Sequence, residues 1–319
     1  MNSLSQNQIK SIDLLRKYFP VVVFLIVVVV FSILGEQFRT WTNITNIGKQ
    51  SAVLIVAALG ETLVILAGSI DLSVGSLLGL SSVLTAGATR VIGDWAILVG
   101  PIVGLTAGVC SGILFAKGKI PSFIVTLAML TILRGFVLIY TKGQPIWLQS
   151  DLVKSIAEAE VFSFPGIFVV ACCFFGLMYL VDEYTPFGRR IRAIGGDEKV
   201  ARLSGIKIAR TYIYVFAASG FLVGCAGVLQ SSRSAAGIPT TGTGFELDVI
   251  ASVVLGGTTL TGGVGGVLGT IMGALTMTAL SSGLNIIGVS PYGQYVVKGL
   301  VLMAAVFISI DRNKIGIIK

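Results

Sequence analysis

Glu61 and Asp71 are the two residues of this sequence whose surroundings most need a chemical explanation. Glu61 follows Gly60 inside an apolar run. Asp71 stands between two such runs, in Gly68-Ser69-Ile70-Asp71-Leu72-Ser73-Val74-Gly75. A carboxylate among apolar residues is costly unless it is paired, hydrated or satisfying orphan backbone groups. Asp71 with Ser73 suits the last task, its oxygen accepting from free N–H groups of a helix that starts near Leu72. The alternative for Asp71, Ser73 and Gly75 is a part in gating or subunit coupling. Glu61 is either a partner for a basic or hydroxyl group or a functional acid in its own right. A third polar stretch runs Thr240-Thr241-Gly242-Thr243-Gly244-Phe245-Glu246-Leu247-Asp248, followed by Gly256-Gly257-Thr258-Thr259. Thr243, Gly244, Gly256 and Thr258 offer hydroxyls and backbone groups to a polar, uncharged ligand. Glu246 and Asp248 serve equally well as acids complementing the dipole at a helix start.

Several chemistries are excluded. The chain has no His, which removes Ser-His-Asp triads, His-ligated metals and His proton relays. Cys110, Cys172, Cys173 and Cys225 lie in apolar stretches without metal-type spacing, so they read as small buried hydrophobes and no metal site is expected. No Gly-x-x-x-x-Gly-Lys loop is present, so any nucleotide that drives this protein must bind another chain. No catalytic residue is assigned.

The elements that must position these residues are membrane spans. Of 319 residues, 54% are hydrophobic and only 12% are charged, and the mean hydropathy is +0.92. The apolar residues come in runs of about 20, the length that crosses a bilayer. Candidate spans fall at about 18–35, 51–69, 73–91, 95–116, 122–141, 163–181, 211–230, 246–260, 263–285 and 292–310. The eighth is short and Gly-ended, as a half-helix would be. The second and third, around Asp71, form a tight hairpin or one broken element. The expected fold is therefore an all-α integral membrane protein of about ten helices in a single domain, 1–319, with eight spans as the lower count.

Charge orients it. The net charge is +8, and in a membrane protein such an excess marks cytoplasmic loops rather than nucleic-acid binding. The loop at 182–210 carries Arg189, Arg190, Arg192, Lys199, Arg202, Lys207 and Arg210 against Asp182, Glu183, Asp197 and Glu198. With Lys117 and Lys119, the segment 1–17 bearing Lys10, Arg16 and Lys17, and the tail bearing Arg312, Lys314 and Lys319, it makes a consistent inner face. Both termini are then cytoplasmic. The first span lacks a following small-x-small site and reads as uncleaved.

Glycine supplies the seams. Gly100, Gly104, Gly108 and Gly112 recur every fourth residue and stack on one helix face, and Gly262, Gly265, Gly266 and Gly269 suggest a second close contact. Val64-Ile65-Leu66-Ala67-Gly68 with Gly75-Ser76-Leu77-Leu78-Gly79 resembles Val253-Val254-Leu255-Gly256-Gly257 with Gly265-Gly266-Val267-Leu268-Gly269. Two helices that break and restart in two halves are a sign of a substrate path.

Inside the 182–210 loop, Asp197 after Gly195-Gly196 reads as an N-cap, Glu198 to Leu203 as a short helix and Gly205 as its end. A short capped helix between two spans has the shape for docking another protein, the other reading being a plain connecting loop.

Over about Asn43 to Asp311 the chain resembles the membrane subunits of bacterial ABC-type monosaccharide importers, the ribose-type permeases. The motifs are Thr62-Leu63-Val64-Ile65-Leu66 into Ile70-Asp71-Leu72-Ser73-Val74-Gly75; Phe187-Gly188-Arg189-Arg190; Ala193-Ile194-Gly195-Gly196 through Arg202-Leu203-Ser204-Gly205-Ile206; Thr241 to Asp248; Val254 to Thr258; and Gly283-Leu284-Asn285-Ile286-Ile287-Gly288-Val289. The resemblance implies a multi-pass protein of the bacterial cytoplasmic (inner) membrane that performs no chemistry itself. Its implied partners are cassette ATPase subunits holding ATP and Mg, a second permease copy or paralogue, an extracytoplasmic sugar-binding protein, the sugar and membrane lipid. It also implies that Ala193, Gly195, Gly196, Asp197, Ala201, Arg202, Ser204 and Gly205 couple to the ATPase. Glu61 stands where relatives often have Met or Gln, Asp197 where Asn is common, and Val264 and Gly266 where ribose-like relatives carry basic residues. These departures leave the sugar open. The rival readings are an ABC permease for an amino acid or nucleoside, and an ion-coupled carrier using Glu61 and Asp71.

Overall fold

The computed structural model describes residues 6–161 and 163–309. Arg312, Lys314 and Lys319 lie outside the described residues, as do the side chains of Lys10, Arg16 and Lys17. The chain is mostly helical: α1 (Gln6–Leu34), α2 (Trp41–Leu66), α3 (Val74–Ile92), α4 (Val99–Ala116), α5 (Ser122–Thr141), α6 (Asp151–Glu158), α7 (Gly166–Tyr184), α8 (Pro186–Gly196), α9 (Glu198–Leu203), α10 (Ile208–Ser234), α11 (Phe245–Leu255), α12 (Val267–Ile286) and α13 (Pro291–Ser309). Among the described residues, six stretches are long and apolar enough to cross a membrane: Trp41–Leu66, Val74–Ala116, Ser122–Thr141, Gly166–Tyr184, Ile208–Ser234 and Val267–Ile286. The second of these holds both α3 and α4, joined by a 3-10 turn at Gly93–Leu98.

The centre of the bundle is α2, buried from Ser51 to Leu66 and packed against α7, α10, α11 and α12. It starts where the Thr40 side chain accepts from Asn43 N at 3.3 Å, a local N-cap. Lipid gives helices no apolar reason to associate, so the tightest seam is built from glycine. Gly100, Gly104, Gly108 and Gly112 of α4 lie directly on the backbone of α10 at Gly224, Gly220, Phe216 and Ile213. The expected four-residue stripe is therefore a helix–helix seam. The second expected seam differs. Only Gly269 lies within a helix, against Gly256, while Gly262, Gly265 and Gly266 belong to the turn before α12.

The mostly helical chain agrees with the expected all-α class; among the described residues its strands are two antiparallel two-residue pairs, β1 (Ile146–Trp147) with β4 (Ala236–Gly237) and β2 (Glu160–Val161) with β3 (Phe164–Pro165). Two other expectations are corrected. The 182–210 region is mostly helix rather than loop, because Thr185 caps Phe187 N and Gly188 N and Pro186 occupies the first helical turn. Cys110, Cys172 and Cys173 are exposed on outer helix faces, and only Cys225 is buried. A surface that faces lipid accepts a small apolar residue as readily as a core does.

Candidate functional site

Two polar regions and one joint between helices hold the residues of interest. The first is the break between α2 and α3. After Leu66 the chain turns at Gly68 (φ +77) and folds back into the bundle, so that Asp71 N donates to Glu61 Oε1 at 3.1 Å. Glu61 lies five residues before the end of α2, so this turn re-enters the interior instead of ending at its edge. Asp71 Oδ1 accepts from Ser73 N at 2.8 Å and from Ser73 Oγ at 2.6 Å. The helix it supports begins at Val74, two residues later than Leu72. Glu61, Asp71 and Ser73 are fully or almost fully buried. The partner found for Glu61 Oε1 is a backbone amide, neither a base nor a hydroxyl, and Glu61 Oε2 has no hydrogen-bond partner among the described residues. Gly75 is packed backbone to backbone: a Cβ there would collide with Gly242 O and Glu246 Oε2.

The second region is the loop that leads from β4 into α11. Pairing of Gly237 with Ile146 anchors its start. Arg134 of α5 holds it from the side, its Nη1 donating to Pro239 O at 3.1 Å and Thr241 O at 3.0 Å. Gly242 and Gly244 take φ of +81 and +73, a left-handed conformation that lets the chain reverse and enter α11. Glu246 and Asp248 occupy the first turn of this 11-residue half-helix, as the dipole favours. Beside the loop lies a cavity of about 400 Å³ whose walls include Gln230, Arg233, Thr243, Gly244, Asp248 and Lys298. Asp248 Oδ2 and Lys298 Nζ are 2.7 Å apart, joining α11 to α13.

The joint lies at the other end of α11. Gly263 N donates to Leu66 O at 2.9 Å, and a Cβ on Gly195 would collide with both groups. The end of α2, the end of α8 and the turn before α12 thus touch through glycine backbones. Asp182 Oδ2, at the end of α7, accepts from Arg192 Nη2 at 2.9 Å and from Val267 N at 3.3 Å. It ties α8 to the start of α12. From this joint α9 projects outward. Asp197 Oδ1 accepts from Lys199 N at 2.8 Å and Val200 N at 3.1 Å, and Gly205 (φ +84) follows the last turn. Arg202 pairs with Glu198 at 2.6 Å. Ala201 is buried, whereas Arg202 and Ser204 are exposed and Leu203 is 89% exposed.

The expected residues therefore divide. Thr243 and Gly244 line the cavity. Glu61, Asp71, Ser73 and Gly75 sit in the packed break behind it and are not among its walls. Gly256 and Thr258 are at the far end of α11: Gly256 packs on Gly269 and the Thr258 hydroxyl accepts from Gly266 N at 3.2 Å. They hold a turn and do not join Thr243 and Gly244. Ala193, Gly195, Gly196, Asp197, Ala201, Arg202, Ser204 and Gly205 fall together around the α8–α9 corner. Arg134, Lys298 and Asp182 were missed. Arg134 and Lys298 carried a usable signal, since each is a cation inside an apolar helix. Asp182 looked like one charge in a basic loop, and its partner Val267 N is 85 residues away.

Residues 43–306 match the family model described as the permease component of the branched-chain amino acid transport system. The chain is 41% identical to the ribose import permease protein of Bacillus subtilis, with 97% of each chain covered. It is 38% identical to the ribose import permease protein of Escherichia coli, over 94% of this chain and 97% of that one. It is 32% identical to the xylose transport system permease protein of Escherichia coli, over 89% and 91% respectively. No solved structure matches the chain.

Proposed function

The chain belongs to this family of membrane permease components, and on that premise we propose that it is the permease subunit of an ATP-driven monosaccharide importer in the bacterial cytoplasmic membrane. The observation that carries the proposal is the 41% identity to a ribose import permease across 97% of the chain. The family description names amino acids, but ribose and xylose permeases are the relatives matched over most of their length, so a pentose-like sugar is the substrate class favoured.

In this reading the single domain crosses the membrane with ten helices, of which α11 is a half-helix. Its termini and α8–α9 lie in the cytoplasm, in keeping with the basic residues at that end. The cavity beside Thr243 and Gly244 is a stretch of the translocation path. Its hydroxyl, amide and backbone groups suit sugar hydroxyls, and its size lies within the range of small-molecule sites. The Asp71 break and the glycine joint set the helix ends that move. The α9 helix docks on a cassette ATPase, which holds ATP and Mg, while this chain binds neither. A second permease copy and an extracytoplasmic binding protein complete the importer. ATP binding closes the ATPases and displaces α9, and the joint at Gly195 and Gly263 passes that displacement to the ends of α2 and α12.

The test is reconstitution of the permease, its co-purified ATPase and the binding protein in proteoliposomes. ATP-dependent uptake of a pentose is expected. Leu203→Asp leaves the Asp197 cap intact, so it is expected to abolish ATPase co-purification and uptake while the permease still folds. Uptake by the permease alone under a proton or sodium gradient would overturn the proposal.

A further inference from the structure

At the end of the bundle that carries α8 and α9, a groove of about 680 Å³ opens between the end of α4 and the start of α10. Its walls include Lys117, Arg202, Lys207, Arg210, Ile213 and Tyr214, and no acidic side chain is among them. Arg202 is engaged by Glu198 on α9. Lys117, Lys207 and Arg210 make no ion pair among the described residues. The start of α10 adds to the same field. Lys207 at its N-cap makes no side-chain capping bond, and no acid lies in its first turn. Its free N–H groups present partial positive charge beside the three cations. Like charges gathered in one groove repel unless an anion joins them.

The apolar side of the groove narrows the choice of anion. Tyr214, one turn and a half into α10, is 55% exposed, and Ile113 and Leu114 in the last turn of α4 are 40% and 44% exposed. These faces belong to spans, so their solvent is acyl chain. Exposed tyrosine at the end of a span sits at headgroup level. A phosphate held by cations, with two acyl chains lying on adjoining apolar helix faces, is the shape of a phospholipid. An acidic protein surface would use the cations but not the apolar continuation.

We propose that the groove formed by Lys117, Lys207, Arg210 and the start of α10 binds the headgroup phosphate of an anionic phospholipid, whose acyl chains lie along α4 and α10. The site rests on the membrane reading and is independent of which solute is carried. An ordered lipid there would brace α10, on which the Gly100–Gly112 face of α4 packs, next to the ATPase-docking helix.

The experiment is native mass spectrometry of the purified permease in neutral detergent, titrated with dioleoylphosphatidylglycerol or dioleoylphosphatidylcholine. Selective retention of phosphatidylglycerol is expected. A cation near the membrane surface contributes roughly a factor of five in binding, so Lys117→Gln, Lys207→Gln and Arg210→Gln are each expected to weaken retention about fivefold and together about a hundredfold. The single variants keep the test open if the triple variant does not fold. Exchange of Lys117 and Lys207 for Arg is expected to keep the lipid. Equal retention of phosphatidylglycerol by the three Gln variants would overturn the site. So would displacement of the lipid by glycerol phosphate at equal concentration, which would mark a free-anion site. Unchanged lipid retention with loss of ATPase co-purification would also overturn it and make the groove part of the docking face.

Discussion

The two breaks in the bundle, at 67–73 and at 256–266, begin from the same sequence pattern and are built from opposite materials. Each follows an apolar helix, turns on a glycine with positive φ and restarts a helix toward the same end of the molecule. At the first, the acid that supports the restart is local: Asp71 accepts from Ser73 N, two residues on. At the second the turn contains no acid. Thr258 supplies a hydroxyl to Gly266 N, and the carboxylate that reaches Val267 N is Asp182, brought in from α7. The first carboxylate stands beside another, Glu61, whereas the second is paired with Arg192 of α8. A buried restart needs its free N–H groups satisfied by protein acceptors, and Ser73 and Val267 are both buried. Whether the acceptor comes from the turn or from another helix decides what the turn can sense. The first break draws the acceptor for its restart from its own turn, while Tyr212 of α10 and Thr126 of α5 donate to its carbonyls at Ala67 and Ile70. The second is wired, through Asp182 and Arg192, to the corner from which α9 projects.

If that contrast is right, the largest effect in the molecule follows removal of the remote acid. Asp182→Ala strips the acceptor from Val267 N and leaves Arg192, about a quarter exposed, without one of its two carboxylates. Removing one partner of a buried pair costs about 3–5 kcal/mol, and partial exposure of Arg192 with its second bond to Glu183 brings the expectation to about 2–3 kcal/mol. A lower melting temperature of the purified permease, with ATPase turnover no longer linked to uptake, is the expected outcome. Asp182→Ala with wild-type stability and coupling would erase the distinction between the two breaks.

Gly195→Ala tests the same wiring by crowding. Its new methyl would meet Leu66 O and Gly263 N, backbone atoms that cannot rotate away. Overpacking of this kind costs about 1–3 kcal/mol. Because the collision falls on the joint itself, uptake is expected to fall further than stability, with ATPase binding retained. Gly196→Ala is the control, since no atom lies within 4 Å of its added Cβ. If both variants behave alike, the joint transmits nothing.

Thr258→Val removes a neutral acceptor from the second turn and is expected to cost about 1 kcal/mol. The two breaks should then differ in kind as well as in size. Loss of Thr258 is local, and loss of Asp182 reaches the α8–α9 corner through Arg192.

Sequence reasoning recovered what depends on neighbours along the chain. Asp197, Glu198–Leu203 and Gly205 form a capped helix legible residue by residue, because cap, body and terminator lie within nine positions. The shortness of α11 was legible from its short apolar run between glycines, and the Gly100–Gly112 stripe from its spacing. Contacts made at a distance were not legible. The pairing of Asp182 with Val267 N, the grip of Arg134 on Thr241 O and the bond from Lys298 to Asp248 each join separate helices. Gly256 and Thr258 were grouped with the polar loop because glycines and hydroxyls follow it along the chain, whereas their contacts belong to the turn. Helix α8 was hidden by its arginines, which suited an inner loop equally well.

The finest test of the comparison is at Glu61. Within the first break its Oε1 accepts from Asp71 N, and among the described residues its Oε2 meets no donor. A carboxamide has the same shape and keeps the oxygen that Asp71 N uses. Glu61→Gln is therefore expected to shift stability by less than about 1 kcal/mol, the worth of one hydrogen bond. It should leave ATP-driven uptake within about twofold of wild type, since about 0.4 kcal/mol separates such rates. Glu61→Leu, which lacks the acceptor, should be the less stable of the two, because Asp71 N would then be buried without a partner. A protein that moves its solute with a proton or a cation would respond in the reverse sense. Gln could not exchange the ion, and uptake would collapse for Gln and Leu alike whatever their stability. The order of the two variants thus separates an acid that holds a turn from an acid that carries charge. It also decides whether the first break relies on its own acids for structure alone.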